Sequence, residues 1–354
     1  MTMITAQPFQ TVRAIEISVD SVKFSVGDSY FKNREQQVPC GWFRLSDFRL
    51  PAERLCNTGI EERGPEMRFE FIGTKHAFAE FPRWNDLYMV SCQHRVDEVT
   101  AHLHHIAAAI HLMRLPVPRV DYLLLSLPSN VDTATKTILR EKIADGFFLG
   151  EQRVDVGVAQ FVNSSLCGLV YSDTVTRTNP SSRATRLILD FGHERITWFV
   201  ERGHCVNRAR SGSARHCTSR AMSKALSKYL PAFAHSTVDD PLFGEVEAAL
   251  CVGAPSLHFG KQTFSLSKIG PSLIRIVDRG LSAIFQDLGN SDDVVDVIVT
   301  GICARFYASR LQTMVPHFRV VTSGTTPDDT RLAGVRGMQL IGERLRERAF
   351  VGLA

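Results

Sequence analysis

Three short stretches carry residues suited to a phosphate and its metal. The first is Leu187-Ile188-Leu189-Asp190-Phe191-Gly192, an apolar run into a carboxylate with a glycine two residues on. A polar turn follows, then the apolar run Ile196-Thr197-Trp198-Phe199-Val200. This pattern predicts a buried strand, a tight turn and a returning strand. An acid at such a junction faces a cation, and a glycine lets backbone N–H groups approach an anion closely. Turn sterics alone also place Asp-x-Gly in many hairpins. The second stretch predicts strands at 12–18 and 22–27 around a turn at 18–21, where Glu16, Ser18, Ser21 and Lys23 cluster. Hydroxyls, amides and a lysine point charge suit phosphate oxygens, although an ordinary hairpin with a solvated lysine reads the same way. The third is the apolar run Val294–Val299, which ends at Thr300-Gly301 and opens onto a helix through Phe306–Met314.

The elements that must position these residues follow from periodicity. Residues 94–114 place Val96, Val99, Leu103, Ile106, Ala107, Ile110 and Met113 on one helical face. Its histidines 102, 104, 105 and 111 lack the i, i+4 spacing of helical zinc ligands and read as solvated or interfacial. A buried strand at 120–127 ends in Ser126-Leu127-Pro128, a helix covers about 133–145, and 154–161 is extended. An Asn-Ser-Ser start leads into an apolar helix at 163–172, and the polar 173–186 reads as a connector. Beyond the opening hairpin, residues 203–206 turn into a short strand. A helix is predicted at 217–230, irregular chain at 231–260, and a helix at 269–289. Phe318–Val321 is a last strand, Thr325–Thr330 a polar turn and Leu332–Arg346 a final helix. Strands alternating with helices predict an α/β chain, and both halves open on a strand-turn-strand that carries an acid.

The bulk properties narrow the setting. At 354 residues the chain exceeds one ordinary core and predicts two domains. With 44% hydrophobic and 22% charged residues it is globular in composition. The net charge of +4 does not argue for nucleic acid. Apolar runs fall far short of the roughly 20 residues that span a bilayer. The start carries no secretory pattern. Eight scattered cysteines without a Cys-x-x-Cys pattern read as reduced thiols of a cytoplasmic protein rather than disulfides or a zinc site.

Taken in order, the three junctions resemble those of the actin/Hsp70/sugar-kinase superfamily, in detail its plasmid-segregation branch, the ParM/StbA-type actin-like proteins. That family's first loop reads Asp-x-Gly-x-x-x-x-Lys; here Glu16 stands at the acid, Ser18 at the glycine and Lys23 at the lysine. Its second reads Asp-x-Gly-Gly-x-Thr-x-Asp, matched by Asp190 and Gly192. Its adenosine turn, Gly-Gly-Gly-Ala, is matched by Gly301 and Ala304. Ala159-Gln160 resembles the family's Pro-Gln, and LAGVRGMQLIG its last helix start. Where the family has glycines, this chain has Ser18, His193, Glu194, Ile302 and Cys303. Glycines in such turns serve positive φ or close approach, so each replacement predicts strain or a lost contact of about 1–3 kcal/mol. Arg195 offers a substitute phosphate donor beside Glu194.

The resemblance implies an actin-like, ribonuclease H-like two-domain ATPase fold with a nucleotide cleft between domains. Residues 1–172 would form the first domain, with a C-terminal helix at about 333–354 packing back on it, and 173–332 the second. It implies ATP and Mg²⁺ as cofactors. Glu16 and Asp190 would hold the metal through water, and Gln160 would orient the attacking water. Ser18, Ser21, Lys23 and Gly192 would contact phosphates, with Gly301 and Ala304 at the adenosine. It implies homopolymeric filaments acting in plasmid segregation through a DNA-binding adaptor, with no membrane and no direct nucleic-acid binding. Two alternatives stay open: a non-catalytic actin-like scaffold, and a small-molecule kinase of the same superfamily.

Overall fold

The computed structural model describes residues 11–18, 21–27, 40–44, 66–71, 74–81, 86–90, 98–113, 115–128, 130–149, 152–176, 184–192, 195–203, 205–215, 226–228, 246, 249, 254–259, 262–266 and 269–351. The chain divides into two compact units, Met1–Ser164 with Met338–Ala354, and Ser165–Gly337. The first division falls at 164/165 rather than 172/173. The predicted helix at 217–230 lies largely outside the described residues.

In the first unit, strands β1 (Val12–Ile17), β2 (Ser21–Ser25), β3 (Cys40–Arg44), β4 (Glu66–Phe71), β5 (Thr74–Phe81), β6 (Asp86–Val90), β7 (Arg119–Ser126), β8 (Phe147–Leu149) and β9 (Gln152–Phe161) form one sheet. Its order is β3-β2-β1-β7-β9-β8-β4-β5-β6. Among the described strands of this sheet, the parallel pairings are β1 with β7 and β7 with β9. All six residues of β1 are buried, because both faces of these strands are covered, which is why they read as apolar runs without alternation. On one face Ile15, Ile17, Leu123 and Leu125 pack with Leu103, Ile106 and Ile110 of helix α1 (Glu98–Leu112) and Leu139 of helix α2 (Thr133–Ala144). Asp132 caps α2, accepting from the Thr135 N–H at 2.7 Å. The other face meets the end of helix α6 (Pro327–Val351). There a Cβ on Gly342 would lie 2.5 Å from Val12 and Leu124 side-chain carbons. Gln339 of α6, fully buried, donates to the Val12 carbonyl at 3.1 Å and accepts from Ser25 Oγ at 2.8 Å.

His102 corrects the expectation of solvated helix histidines. It is buried, and its nearest charge is Glu98, with Nε2 3.7 Å from Oε1. Burial is the larger influence and holds its pKa below 6.5, against a raising effect of Glu98. The unfolded chain therefore binds more protons below pH 6.5, and stability falls as pH drops through that window. The His102→Leu variant should lose this dependence. Unfolding curves at pH 5.5 and 7.5 check it, and an unchanged pH slope in the variant would refute it.

In the second unit, β10 (Thr185–Phe191), β11 (Ile196–Arg202), β12 (Cys205–Ala214), β15 (Val294–Gly301) and β16 (Arg319–Thr322) form a sheet ordered β12-β11-β10-β15-β16. A separate hairpin, β13 (Ser256–Phe259) with β14 (Gln262–Ser265), stands where irregular chain is predicted. Helix α4 (Gly270–Leu288) lays Leu273, Val277, Leu281 and Ile284 against Leu187, Leu189, Val297 and Val299. Helix α5 (Ala304–Met314) adds Phe306, Tyr307 and Leu311. On the opposite face Ile188 and Ile298 meet Leu169 of helix α3 (Ser164–Thr176). Strand β12 is longer than predicted because Gly212 lets it close on the Trp198 ring, where a Cβ would come within 2.5 Å. Helix α6 starts earlier than predicted. Thr326 and Asp329 cap each other reciprocally, each side chain accepting from the other's backbone N–H at 3.1 Å. Among the described residues no helix is long and apolar enough to cross a membrane.

Candidate functional site

Ligands of open α/β sheets gather at the carboxyl ends of parallel strands. In the first unit those ends carry Glu16, Ser126 and Gln160. Glu16 pairs in register with Ser126, and Gln160 with Leu124. Gln160 is exposed at the end of β9. Ser18 is half-buried just past β1, and the Ser21 side chain lies outside the described residues. Lys23 departs from the expectation of a lysine aimed at phosphate. The β1–β2 register sets it opposite Glu16, and its Nζ lies 2.6 Å from Glu16 Oε1 with both side chains buried. Each charge is desolvated and partnered by the other, so the lysine's field is largely cancelled at longer range.

In the second unit the junction is built around Asp190. Its register partner on β15 is Thr300, and that of Phe191 is Gly301. Ser165, near the start of α3, donates a hydrogen bond to Asp190 Oδ2. Gly301 adopts φ +92°, and a Cβ there would come within 2.5 Å of the Phe191 carbonyl oxygen and 2.7 Å of Asp190 Oδ1. The next amide, Ile302, donates to that Phe191 carbonyl at 2.8 Å. The glycine thus allows two strand ends to close around a carboxylate. The role of Ser165 had no clear sequence signal, since the Asn-Ser-Ser run reads as a helix start.

Three groups expected at the ligand have partners or surroundings within the unit. The Gly192 amide, expected at phosphate, donates to the Arg195 carbonyl at 3.0 Å and closes the β10–β11 turn. Arg195, a candidate phosphate donor, gives Nε and Nη2 to Ser213 Oγ at 3.2 and 2.8 Å. Ala304, expected at adenosine, begins α5 with its side chain fully buried in the core. The expected strain is also smaller. Neither Ser18 nor Ile302 has positive φ; among the described residues Cys303 (φ 57°) is the one non-glycine that does. The glycine replacements described therefore cost about 1–2 kcal/mol in backbone strain, not a sum over every site. His193 and Glu194 lie outside the described residues.

Solved structures of similar architecture decide the fold. An archaeal actin homologue, Ta0583, in complex with ADP superposes with TM-score 0.62 at 14% identity, covering 95% of this chain and 100% of that one. This chain has the actin-like fold. Bacillus thuringiensis ParM with AMPPNP (TM-score 0.60, 12% identity, 95% and 99% covered) and the Alp12 filament structure (0.60, 12%, 95% and 99%) share this actin-like architecture. No protein-family model and no curated protein matches the sequence. On this actin-like frame the second unit's donor set fits a hydrated divalent cation with phosphates. It offers a carboxylate at a strand end, fixed by a hydroxyl and left uncrowded by a glycine.

Proposed function

We propose that this chain is an actin-like, ATP-binding protein that assembles into filaments with copies of itself and serves plasmid segregation through a DNA-binding adaptor. The first unit is read as the first actin-like domain and the second unit as the second. The observation that carries this reading is Asp190, fixed by Ser165 and backed by Gly301 at a strand end. Support comes also from the fold relatives: Ta0583 binds ADP, the B. thuringiensis ParM binds AMPPNP, and Alp12 forms a filament.

In this reading Asp190 would hold hydrated Mg²⁺, and Glu16 is the first unit's candidate metal carboxylate. When bound, the metal neutralises charge on the transferring phosphate. The chain's own groups position and exclude. Gln160 presents an exposed amide to orient water. Lys23 and the hydroxyls of Ser18 and Ser21 contact phosphate oxygens, and Gly301 gives the base room. Contact of Lys23 with phosphate requires it to share its charge between Glu16 and the ligand.

Calorimetric titration of ATP–Mg²⁺ tests the site, and light scattering tests assembly. The wild type should bind and scatter on addition of ATP–Mg²⁺, and Asp190→Ala should weaken binding at least tenfold, about 1.4 kcal/mol. Equal affinities for the two proteins would remove Asp190 from the site. Scattering that ignores nucleotide would overturn the filament reading.

A further inference from the structure

A second recess lies in the second unit, along the free edge of its sheet. It is a cleft of about 820 Å³ bounded by α5, the end of α3, β16 and the loop after it, within the range of small-molecule sites. Among the described strands β16 ends the sheet, paired with β15 alone. Val320 and Val321 project to opposite faces of that strand, yet both line the cleft, so it wraps the edge. Val175 and Ala308 extend this apolar floor.

Two polar groups in the cleft lack partners. Ser323 is 1% exposed, and its Oγ makes no hydrogen bond. A buried hydroxyl left unpaired is costly and uncommon. Arg305, the one charged residue among the described residues that line the cleft, is exposed at its rim, and among the described residues it forms no ion pair. Asp329, in the first turn of α6 beyond the adjoining loop, is already paired with Arg336 at 2.6 Å. Neither Ser323 nor Arg305 takes part in the arrangement around Asp190.

The geometry points to a binding site for a small amphipathic acid: an apolar body of drug size bearing one carboxylate or sulfonate. The apolar body lies along Val175, Ala308, Val320 and Val321. The anionic group pairs with the Arg305 guanidinium, and a small shift of the loop after β16 lets an oxygen of the ligand accept from the buried Ser323 Oγ. A doubly charged or wholly polar ligand finds a single cation and an apolar floor, and binds less well. The site goes beyond the nucleotide reading and does not depend on it.

The test uses the full chain and 8-anilinonaphthalene-1-sulfonate as probe, followed by fluorescence titration. Saturable one-to-one binding is expected, weakened at least tenfold in Arg305→Glu and restored in part in Arg305→Lys. Ser323→Ala should weaken it about threefold to tenfold. Arg305 is exposed, and equal melting temperatures for wild type and Arg305→Glu establish that the fold is intact. Equal probe affinity in wild type and Arg305→Glu overturns the site, as does binding that never saturates. Competitive displacement by ATP–Mg²⁺ also overturns it, since the cleft would then be part of the nucleotide site. Probe binding that depends on Arg305 in a protein that ignores ATP–Mg²⁺ supports this site and sinks only the nucleotide reading.

Discussion

Arg186→Met should destabilise the second unit by about 3–5 kcal/mol, the cost of leaving buried carboxylates without their cation. Arg186 is 2% exposed on β10. Its Nε donates to Glu201 Oε2 at 2.8 Å and one terminal nitrogen to Asp173 Oδ1 at 2.6 Å. Glu201 is its register partner across β10–β11, and Asp173 comes from α3, so the guanidinium ties the hairpin to the helix behind it. Burial alone would lower the pKa of Arg186, but the hydrogen bonds and charges of Glu201 and Asp173 outweigh it and the pKa is raised. No accessible pH therefore mimics the substitution. In a Trp42→Phe/Trp84→Phe background, denaturant unfolding followed by the fluorescence of Trp198, in the same sheet, reads the effect as a lower midpoint with an unchanged slope. The triple variant Arg186→Met/Glu201→Gln/Asp173→Asn should recover much of the loss, because no buried charge remains. An unchanged midpoint in the single variant would show that the acids find other partners at no cost.

Gly301→Ala is the second large effect, expected at about 3 kcal/mol or more with nucleotide binding lost alongside. At φ +92° any L side chain is strained. The added Cβ also meets backbone, 2.5 Å from the Phe191 oxygen and 2.9 Å from its nitrogen. Neither is the flexible end of a side chain, so β10 and β15 must separate at their ends, an overpacking cost of about 1–3 kcal/mol on top of the strain. That separation displaces Asp190, whose Oδ1 would sit 2.7 Å from the new atom. Thermal unfolding gives the first effect and calorimetry with ATP–Mg²⁺ the second. Wild-type stability in Gly301→Ala would mean that the turn relaxes freely and that the glycine is not required there.

The order of elements was legible because the central strands are covered on both faces. Runs such as Leu123–Leu125 and Leu187–Leu189 are apolar without alternation, and α4 repeats its apolar face at helical spacing. The two units were less legible. Polarity places a connector at 173–186, but α3 runs to Thr176 through Ser172 and Asp173, and Asp173 is held by Arg186. The start of α6 was missed for a local reason: Thr-Pro-Asp-Asp reads as a turn unless its first and fourth residues are seen as a capping pair.

The candidate site was legible in residue type and not in partnership. Asp190 and Gly301 stand at strand ends as spacing implies. The Glu16–Lys23 pair follows from hairpin register, since strands at 12–18 and 22–27 around a four-residue turn place 16 opposite 23, yet residue types alone suggested that both served a ligand. Counting lost glycines overstated the strain, because a glycine is required only where φ is positive or another atom is close, and sequence shows neither. Ser165 and Ser323 carried no signal, since a serine near a helix start or in a loop is ordinary.

Gln339 has a consequence for how the chain is made. The first unit is interrupted: its last piece, from Met338, follows the whole of the second. Gln339 belongs to that piece and fills the buried hydrogen bonds to Val12 and Ser25. As the chain is synthesised, the second unit can complete its core from contiguous residues. The first cannot, because the β1 carbonyl and the β2 hydroxyl wait on a residue more than 300 positions downstream. The expected folding order is therefore the second unit first, with the opening strands sealed last.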